Sequence, residues 1–287
     1  MSHDARPERE RPERGGGPPD AASASAGADG EAGAASVATE AERVARAAMA
    51  WPRLSLVRPV QAAPPGPAWL GRQGTERVLV RRSPRRLDAL AWELDLLDHL
   101  AQVGLRVPAA RPAGDGRRQV DGVVVSAWLD GREPTSAAEW DAVLAALARV
   151  HEATADWSQR PGAVTAVELL ARRRTELADL DALPAEALGP VEAALEALAA
   201  AQDGERAVVH GAARATTVRM VGSTVALLGW DEARVDQPAL DRALLTVPPS
   251  RAPRAVVRRA ALAYRIAARW PHDEAEGRRL LSELLGT

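Results

Sequence analysis

The alternation of apolar and polar positions divides the chain into a strand-rich first part and a helix-rich remainder. Short apolar runs bounded by proline and glycine predict strands over residues 54–60, 68–72 and 76–82, with Pro64, Pro65, Gly66, Pro67 and then Gly74 as the breaks. Two more strands are predicted at 107–112 and 119–129, joined by a turn around Gly114, Asp115 and Gly116. Between these groups Leu87, Leu90, Ala91, Leu94 and Leu97 keep helical spacing; Ser83 and Pro84 supply a cap and first residue, and Gly104 a stop.

Further on, the capping box of Ser136 and Glu139 precedes Trp140, Val143, Leu144, Leu147, Val150 and His151, whose three- and four-residue spacing predicts an amphipathic helix. A second capping box, Thr165 with Glu168, predicts a helix to residue 181, and another follows from Pro184 or Pro190 to residue 201. Residues 207–242 read as a strand at Val208 and Val209, a hairpin of 218–221 with 225–228 about Gly222, Ser223 and Thr224, and a helix opened by Pro238. Two closing helices, 252–270 and 273–285, are separated by Pro271. Residues 1–36 have almost no large apolar side chain, so burial cannot offset their ordering entropy and a disordered tail is expected. A short helix over 39–50 then ends before Pro52. The resulting plan is an α+β fold: a tail over 1–36, an N-terminal lobe with its leading helix over 37–131, and a C-terminal helical lobe over 132–287.

Composition narrows the chemistry. All 37 basic residues among the 287 are arginines, and asparagine, cysteine and phenylalanine are absent. Any phosphate contact therefore falls to arginine, whose planar fork differs from an ammonium point charge, and thiolate catalysis and cysteine-bound zinc are excluded. A net charge of −2 and a single tyrosine argue against nucleic-acid binding, despite the local run of Arg251, Arg254, Arg258 and Arg259. No apolar run approaches the roughly 20 residues of a membrane span, and no signal-peptide core precedes the body. The chain is expected to be cytoplasmic, with no membrane or nucleic-acid partner.

Residues 207–242 carry a resemblance. His210-Gly211 and then Trp230-Asp231-Glu232-Ala233-Arg234, with Asp236, Pro238 and Asp241 behind, resemble the catalytic core of the aminoglycoside phosphotransferase and choline kinase-like family, in which a loop HGDxxxxN is followed by a strand ending in DW or DF. The resemblance covers about residues 54–285 and implies a bilobal protein-kinase-like fold, with a small β-rich N-terminal lobe and a larger helical C-terminal lobe. It puts Ala212 where the family has its catalytic aspartate, Thr217 where it has a metal-binding asparagine and Gly229 where it has a second metal-binding aspartate. His210, Gly211, Trp230 and Asp241 remain as a structural motif. By the same resemblance Arg81 stands at the phosphate-contacting lysine and Glu93 at its helix partner, while Ser126 and Trp128 lie in the inter-lobe hinge that would hold adenine. His151, in a segment similar to the family's LAxLH, is expected to be a hydrogen-bonded core residue.

Phosphoryl transfer needs a positioned carboxylate and Mg²⁺ held against the phosphates. The expected function is thus a pseudokinase-type binding or regulatory module with an unspecified small-molecule or protein partner, any ATP binding being without strong Mg²⁺ dependence. The alternative is an active small-molecule phosphotransferase using Asp231 and Glu232. In an extended segment Asp231 would point to the same side as position 229, about 6–7 Å further along, beyond a direct Mg²⁺–oxygen bond of about 2.1 Å.

Overall fold

Two units make up the chain, residues 1–43 and 44–287. The structure, a computed structural model, describes residues 40–60, 68–201, 204–245 and 254–286. The expected tail over 1–36, the proline-rich break at 64–67 and Arg251 lie outside the described residues. Of the first unit residues 40–43 are described; they are helical, with Arg43 3.8 Å from Glu40. The second unit opens with helical residues 44–48 (α1).

A four-stranded antiparallel sheet follows in the order β1 (Leu54–Val60), β2 (Ala68–Gln73), β3 (Glu76–Arg82) and β4 (Val123–Ala127). The two-residue period of β3 turns Val78 and Val80 to the buried face and Arg81 to the other. Gly71 in β2 leaves room for that pair, since a Cβ there would meet the Val78 and Val80 methyls at 3.1 and 3.2 Å. Between β3 and β4 runs α2 (Leu87–Gln102), whose Leu90, Leu94, Leu97 and Leu100 are buried together with one acid, Glu93. Gly104, at φ +80, lets the chain close that helix with Leu105 N–H donating to Leu100 C=O at 2.9 Å.

The remaining elements are α3 (Ala137–Ala153), α4 (Leu169–Arg172), α5 (Ala185–Ala201), β5 (Ala207–Val209), β6 (Val218–Val221), β7 (Thr224–Leu227), β8 (Arg234–Asp236), α6 (Ala239–Ala243), α7 (Ala255–Arg269) and α8 (Glu274–Leu285). β5 pairs antiparallel with β8, and β6 with β7 forms the hairpin, turned by Gly222 at φ +64. One apolar core joins α2 and α3 to β5 through β8, including Leu97, Val150, Val208 and Trp230. A second lies among α5, α6, α7 and α8, around Leu195, Leu262, Ile266 and Leu280. The result is a small antiparallel sheet lobe and a helical lobe, the α+β plan expected from the pattern. Among the described residues no helix is long and apolar enough to cross a membrane.

Several boundaries differ from the sequence reading. Ser83 does not cap a helix: its Oγ accepts from Arg85 N–H at 3.2 Å while its N–H donates to Gly122 C=O at 2.9 Å, which keeps 83–86 non-helical until α2 begins at Leu87. Residues 107–112 form isolated bridges, Ala110 with Ser126, rather than a strand, because Pro108 and Pro112 lack the N–H donors a ladder requires. The expected strand over 119–129 shrinks to β4, since Val120 and Val123 bond each other across a tight turn. The Thr165–Glu168 box does form, with bonds of 3.0 and 3.2 Å, but its helix ends at Arg172. Arg173 adopts φ +57 and accepts from Leu180 N–H, folding the segment back on itself. α5 starts after Pro184 and carries Pro190 inside it.

Candidate functional site

The site is assembled where β3, α2, the 159–162 turn and the loop after β7 meet. Arg81, from the polar face of β3, forms an ion pair with Glu93 of α2, and its other terminal nitrogen lies 3.3 Å from Asp231. Glu93 is fully buried and also accepts from Arg160 at 3.2 Å. Arg160 is itself buried, only 1% exposed, and donates further to the carbonyls of Asp231 at 3.0 Å, Ala233 at 3.3 Å and Trp230 at 3.4 Å. Arg85 closes the other side, donating to Asp231 C=O at 3.2 Å and Glu176 C=O at 3.0 Å. Arg81, Arg85 and Arg160 thus face Glu93, Asp231 and Glu176. Burial pushes the Asp231 carboxyl up to about 6, against the pull of Arg81. Burial also works against the Arg81 charge, but Glu93 and Asp231 outweigh it and hold the guanidinium above its ordinary value.

The loop after β5 is built around Asp241. One carboxylate oxygen accepts from His210 N–H at 2.8 Å and from His151 Nε2 at 2.9 Å; the other accepts from Gly211 N–H at 2.9 Å. His151, expected to be a hydrogen-bonded core residue, makes its hydrogen bond to Asp241. These bonds hold Asp241 below the usual carboxylate value although burial acts the other way. His210 Nε2 donates to Leu228 C=O at 2.8 Å while Nδ1 accepts from Ala212 N–H at 3.3 Å, which is the hydrogen-bond pattern of a neutral imidazole. Its ring lies 4.6 Å from that of Trp230. Gly211 has φ +77, and a Cβ there would be 2.4 Å from Glu232 C=O, so no other residue fits.

Beyond His210 the loop carries small side chains. Ala212 is buried. Thr217 Oγ1 lies 2.7 Å from Ala212 C=O and accepts from Arg214 N–H at 3.0 Å. Gly229 sits opposite Thr217 in the left-handed region, at φ +70, and a Cβ on it would meet the Thr217 methyl at 3.2 Å. Glu232 is turned away from this pair and bonded to Arg269 of α7. Ala212, Thr217 and Gly229 therefore converge, whereas Asp231 and Glu232 are drawn off to two different arginines.

Ser126 of the hinge lies two positions from Arg81 in register, on the same sheet face. Ser126 is buried opposite Leu79 on β3, while Arg81 stands opposite Val124. Trp128 N–H donates to Arg77 C=O at 3.2 Å, and its Nε1 donates to Asp130 at 2.9 Å.

The family's sequence pattern, described as APH, phosphotransferase enzyme family, matches residues 68–280. The chain belongs to this family. Solved phosphotransferase structures share its fold. A microcompartment-associated aminopropanol kinase superposes with a TM-score of 0.58 at 18% identity, covering 81% of this chain and 90% of that one. Choline kinase LicA from Streptococcus pneumoniae gives 0.58 at 12% identity over 81% and 93%. A thermostable mutant of aminoglycoside phosphotransferase APH(4)-Ia gives 0.56 at 17% identity over 81% and 94%. At such identities the likeness concerns the fold. No curated protein matches the sequence.

Arg160 escaped the sequence reading. It belongs to an unpatterned polar segment, Ser158-Gln159-Arg160-Pro161, and nothing local marks it as buried. Arg85, in the run Arg81, Arg82, Arg85 and Arg86, likewise has no local signal for its bonds to Asp231 C=O and Glu176 C=O. Arg258 and Arg259 are directed to α8, at 2.6 Å from Glu283 and 3.0 Å from Leu284 C=O.

Proposed function

We propose that this phosphotransferase-family protein is a pseudokinase-type binding or regulatory module. The observation that carries the reading is the commitment of its two spare acids. Asp231 accepts from Arg81, and Glu232 from Arg269, so neither presents a free carboxylate beside Ala212, Thr217 and Gly229. The donor set there does not fit Mg²⁺, which takes carboxylates and other oxygens at near-octahedral geometry. Thr217 offers one hydroxyl, already placed against Ala212 C=O, and Ala212 and Gly229 offer no side-chain oxygen. A carboxyl pushed up to about 6, as Asp231 is, binds a cation less readily than an ordinary aspartate.

Arg81 with Glu93 supports a residual nucleotide contact, the arginine meeting a phosphate from the polar face of the sheet. At Trp128 the hinge N–H is already donated to Arg77, which weakens the backbone contribution to adenine binding. Any ATP affinity is accordingly weak and little changed by Mg²⁺.

One observation favours the alternative, an active small-molecule phosphotransferase: a carboxyl with a pKa of about 6 is near the level at which a general base works. The similar structures are kinases named for aminopropanol, choline and aminoglycosides, and on this reading the acceptor would be a related amine. Titration of the protein with ATP, with and without Mg²⁺, separates the two. Affinity that is weak and equal in both arms is expected; Mg²⁺-dependent binding, or release of ADP, overturns the pseudokinase reading and promotes Asp231.

A further inference from the structure

The arginine–carboxylate network between the sheet and the loop after β7 is graded from inside to outside. At its inner end Glu93 and Arg160 are 0% and 1% exposed. Arg81 sits at the outer end, with its two terminal nitrogens divided. One is bonded to the buried Glu93; the other lies 3.3 Å from Asp231, and there the two side chains are 17% and 14% exposed. Within the group of Arg81, Arg85 and Arg160 with Glu93, Asp231 and Glu176 the formal charges cancel, so no positive charge is left over for an incoming anion.

The two ends of Asp231 are held differently. Its carbonyl accepts from Arg160 at 3.0 Å and from Arg85 at 3.2 Å, which ties down the main chain through two arginines. Its carboxylate accepts from Arg81 through the longer, partly exposed bond. A rotation of the Asp231 side chain therefore frees Arg81 without moving the loop. Arg81 itself stays in place, because its other nitrogen is bonded to Glu93 and Arg160 anchors Glu93 in turn.

We propose that the Asp231 carboxylate is a built-in competitor for a nucleotide phosphate: it occupies one terminal nitrogen of Arg81, and a phosphate binds there by displacing it. Carboxylate and phosphate both offer oxygens that match a guanidinium, so they compete for the same donor. The carboxylate also repels the phosphate, and at a few ångströms in a partly buried place salt screens this little. The contact deepens the binding-module reading by giving its nucleotide site an internal block, and rests on that reading in taking Arg81 as the phosphate contact.

The test is calorimetric titration of the full chain with ATP, inorganic tripolyphosphate and adenosine, in metal-free chloride buffer at neutral pH. Asp231→Asn removes the charge at nearly constant shape, and Asp231→Ala removes the competitor without adding an amide. Each should tighten ATP and tripolyphosphate by about tenfold, the usual contribution of a hydrogen bond to a charged group. Adenosine has no phosphate and should bind all forms alike. Glu274→Gln, on an exposed acid of α8, makes the same change in net charge and should behave as the parent. Equal affinity of the parent and both Asp231 variants for ATP and tripolyphosphate overturns the proposal, as does failure of all of them to bind. A matching gain in Glu274→Gln, or with adenosine, overturns it as well. A repeat with Mg²⁺ keeps the two readings apart: Mg²⁺-dependent ATP binding by the parent removes the pseudokinase reading, whereas the metal-free comparison of parent with variants bears on Asp231 alone.

Discussion

Arg160 and Glu93 form an ion pair shielded from water: their atoms lie 3.2 Å apart, with side chains 1% and 0% exposed. Desolvating two charges is unfavourable, and here it is offset by the second arginine on Glu93 and by three carbonyls that accept from Arg160. Removing Arg160 leaves Glu93 paired with Arg81 but takes a donor from three carbonyls, those of Trp230, Asp231 and Ala233. Arg160→Met should therefore lower the unfolding free energy by about 3–5 kcal/mol, read as a shift of the urea midpoint at constant slope. Adding Glu93→Gln should restore part of it, because the two changes share one interaction. A loss under about 1 kcal/mol would mean that water reaches Glu93.

His210 is buried as the neutral imidazole, and burial, ahead of the opposing attraction of Asp241, sets its pKa below the ordinary 6.5. The unfolded chain takes up a proton on this residue as pH falls past 6.5, while the folded chain resists it until lower pH. The stability contributed is therefore full above about pH 6.5 and is lost as pH falls through the folded value. At pH 7 His210→Ala should cost about 2–4 kcal/mol, through a lost ring contact with Trp230 and unpaired Leu228 C=O, and should flatten the acid limb of the stability profile. Parent-like stability would show that the loop does not depend on this side chain.

Asp231 has the opposite sign. Its folded pKa of about 6 is above the ordinary 3.8, so ionisation is disfavoured in the folded state. Its contribution is greatest below about pH 4 and declines as pH rises to about 6. Asp231→Asn, a neutral mimic, should be at least as stable as the parent at pH 7 and should lack this decline. A large loss of stability in the variant would instead assign the ionised pair with Arg81 a net stabilising role.

Restoring Ala212→Asp, Thr217→Asn and Gly229→Asp together should create Mg²⁺-dependent ATP binding, since base and metal positions act as a unit. The geometry orders the steps. At φ +70 an aspartate is tolerated in the left-handed region better than most residues, at about 1 kcal/mol, but its Cβ would press on the Thr217 methyl at 3.2 Å. Thr217→Asn removes that methyl. The thermal midpoint of the double variant should thus exceed that of Gly229→Asp alone; the reverse order would show that the loop relaxes elsewhere.

Gly211→Ala should be the most damaging of the single-methyl changes in this loop. The added carbon would sit 2.4 Å from Glu232 C=O, with backbone rather than a flexible side chain in the way, and φ +77 is unfavourable to alanine. Loss of soluble folded protein is expected, against a smaller loss of about 1–2 kcal/mol for Gly222→Ala at the open hairpin turn, where φ +64 strains alanine but nothing lies within 4 Å.

The sequence by itself determined the features that repeat locally. The alternation in β3, the spacing of Leu90, Leu94 and Leu97, and the reciprocal bonds of Ser136 and Glu139 depend on residues close along the chain, and these elements form as the pattern predicts, apart from the later start of α2 at Leu87. Residues 207–241 carried enough of a pattern to name the family. Only the tertiary structure decided what the charges do. Arg85 and Arg160 meet Asp231 across 146 and 71 positions, and Arg269 meets Glu232 across 37, separations for which no periodicity exists. The early end of α4 has the same origin, since Arg173 is held at φ +57 by its bond to Leu180 and by ion pairs to Asp181 and Glu192 that local propensity does not encode. Apolar burial is written into the chain as a period; the pairing of charges depends on which surfaces the fold brings together.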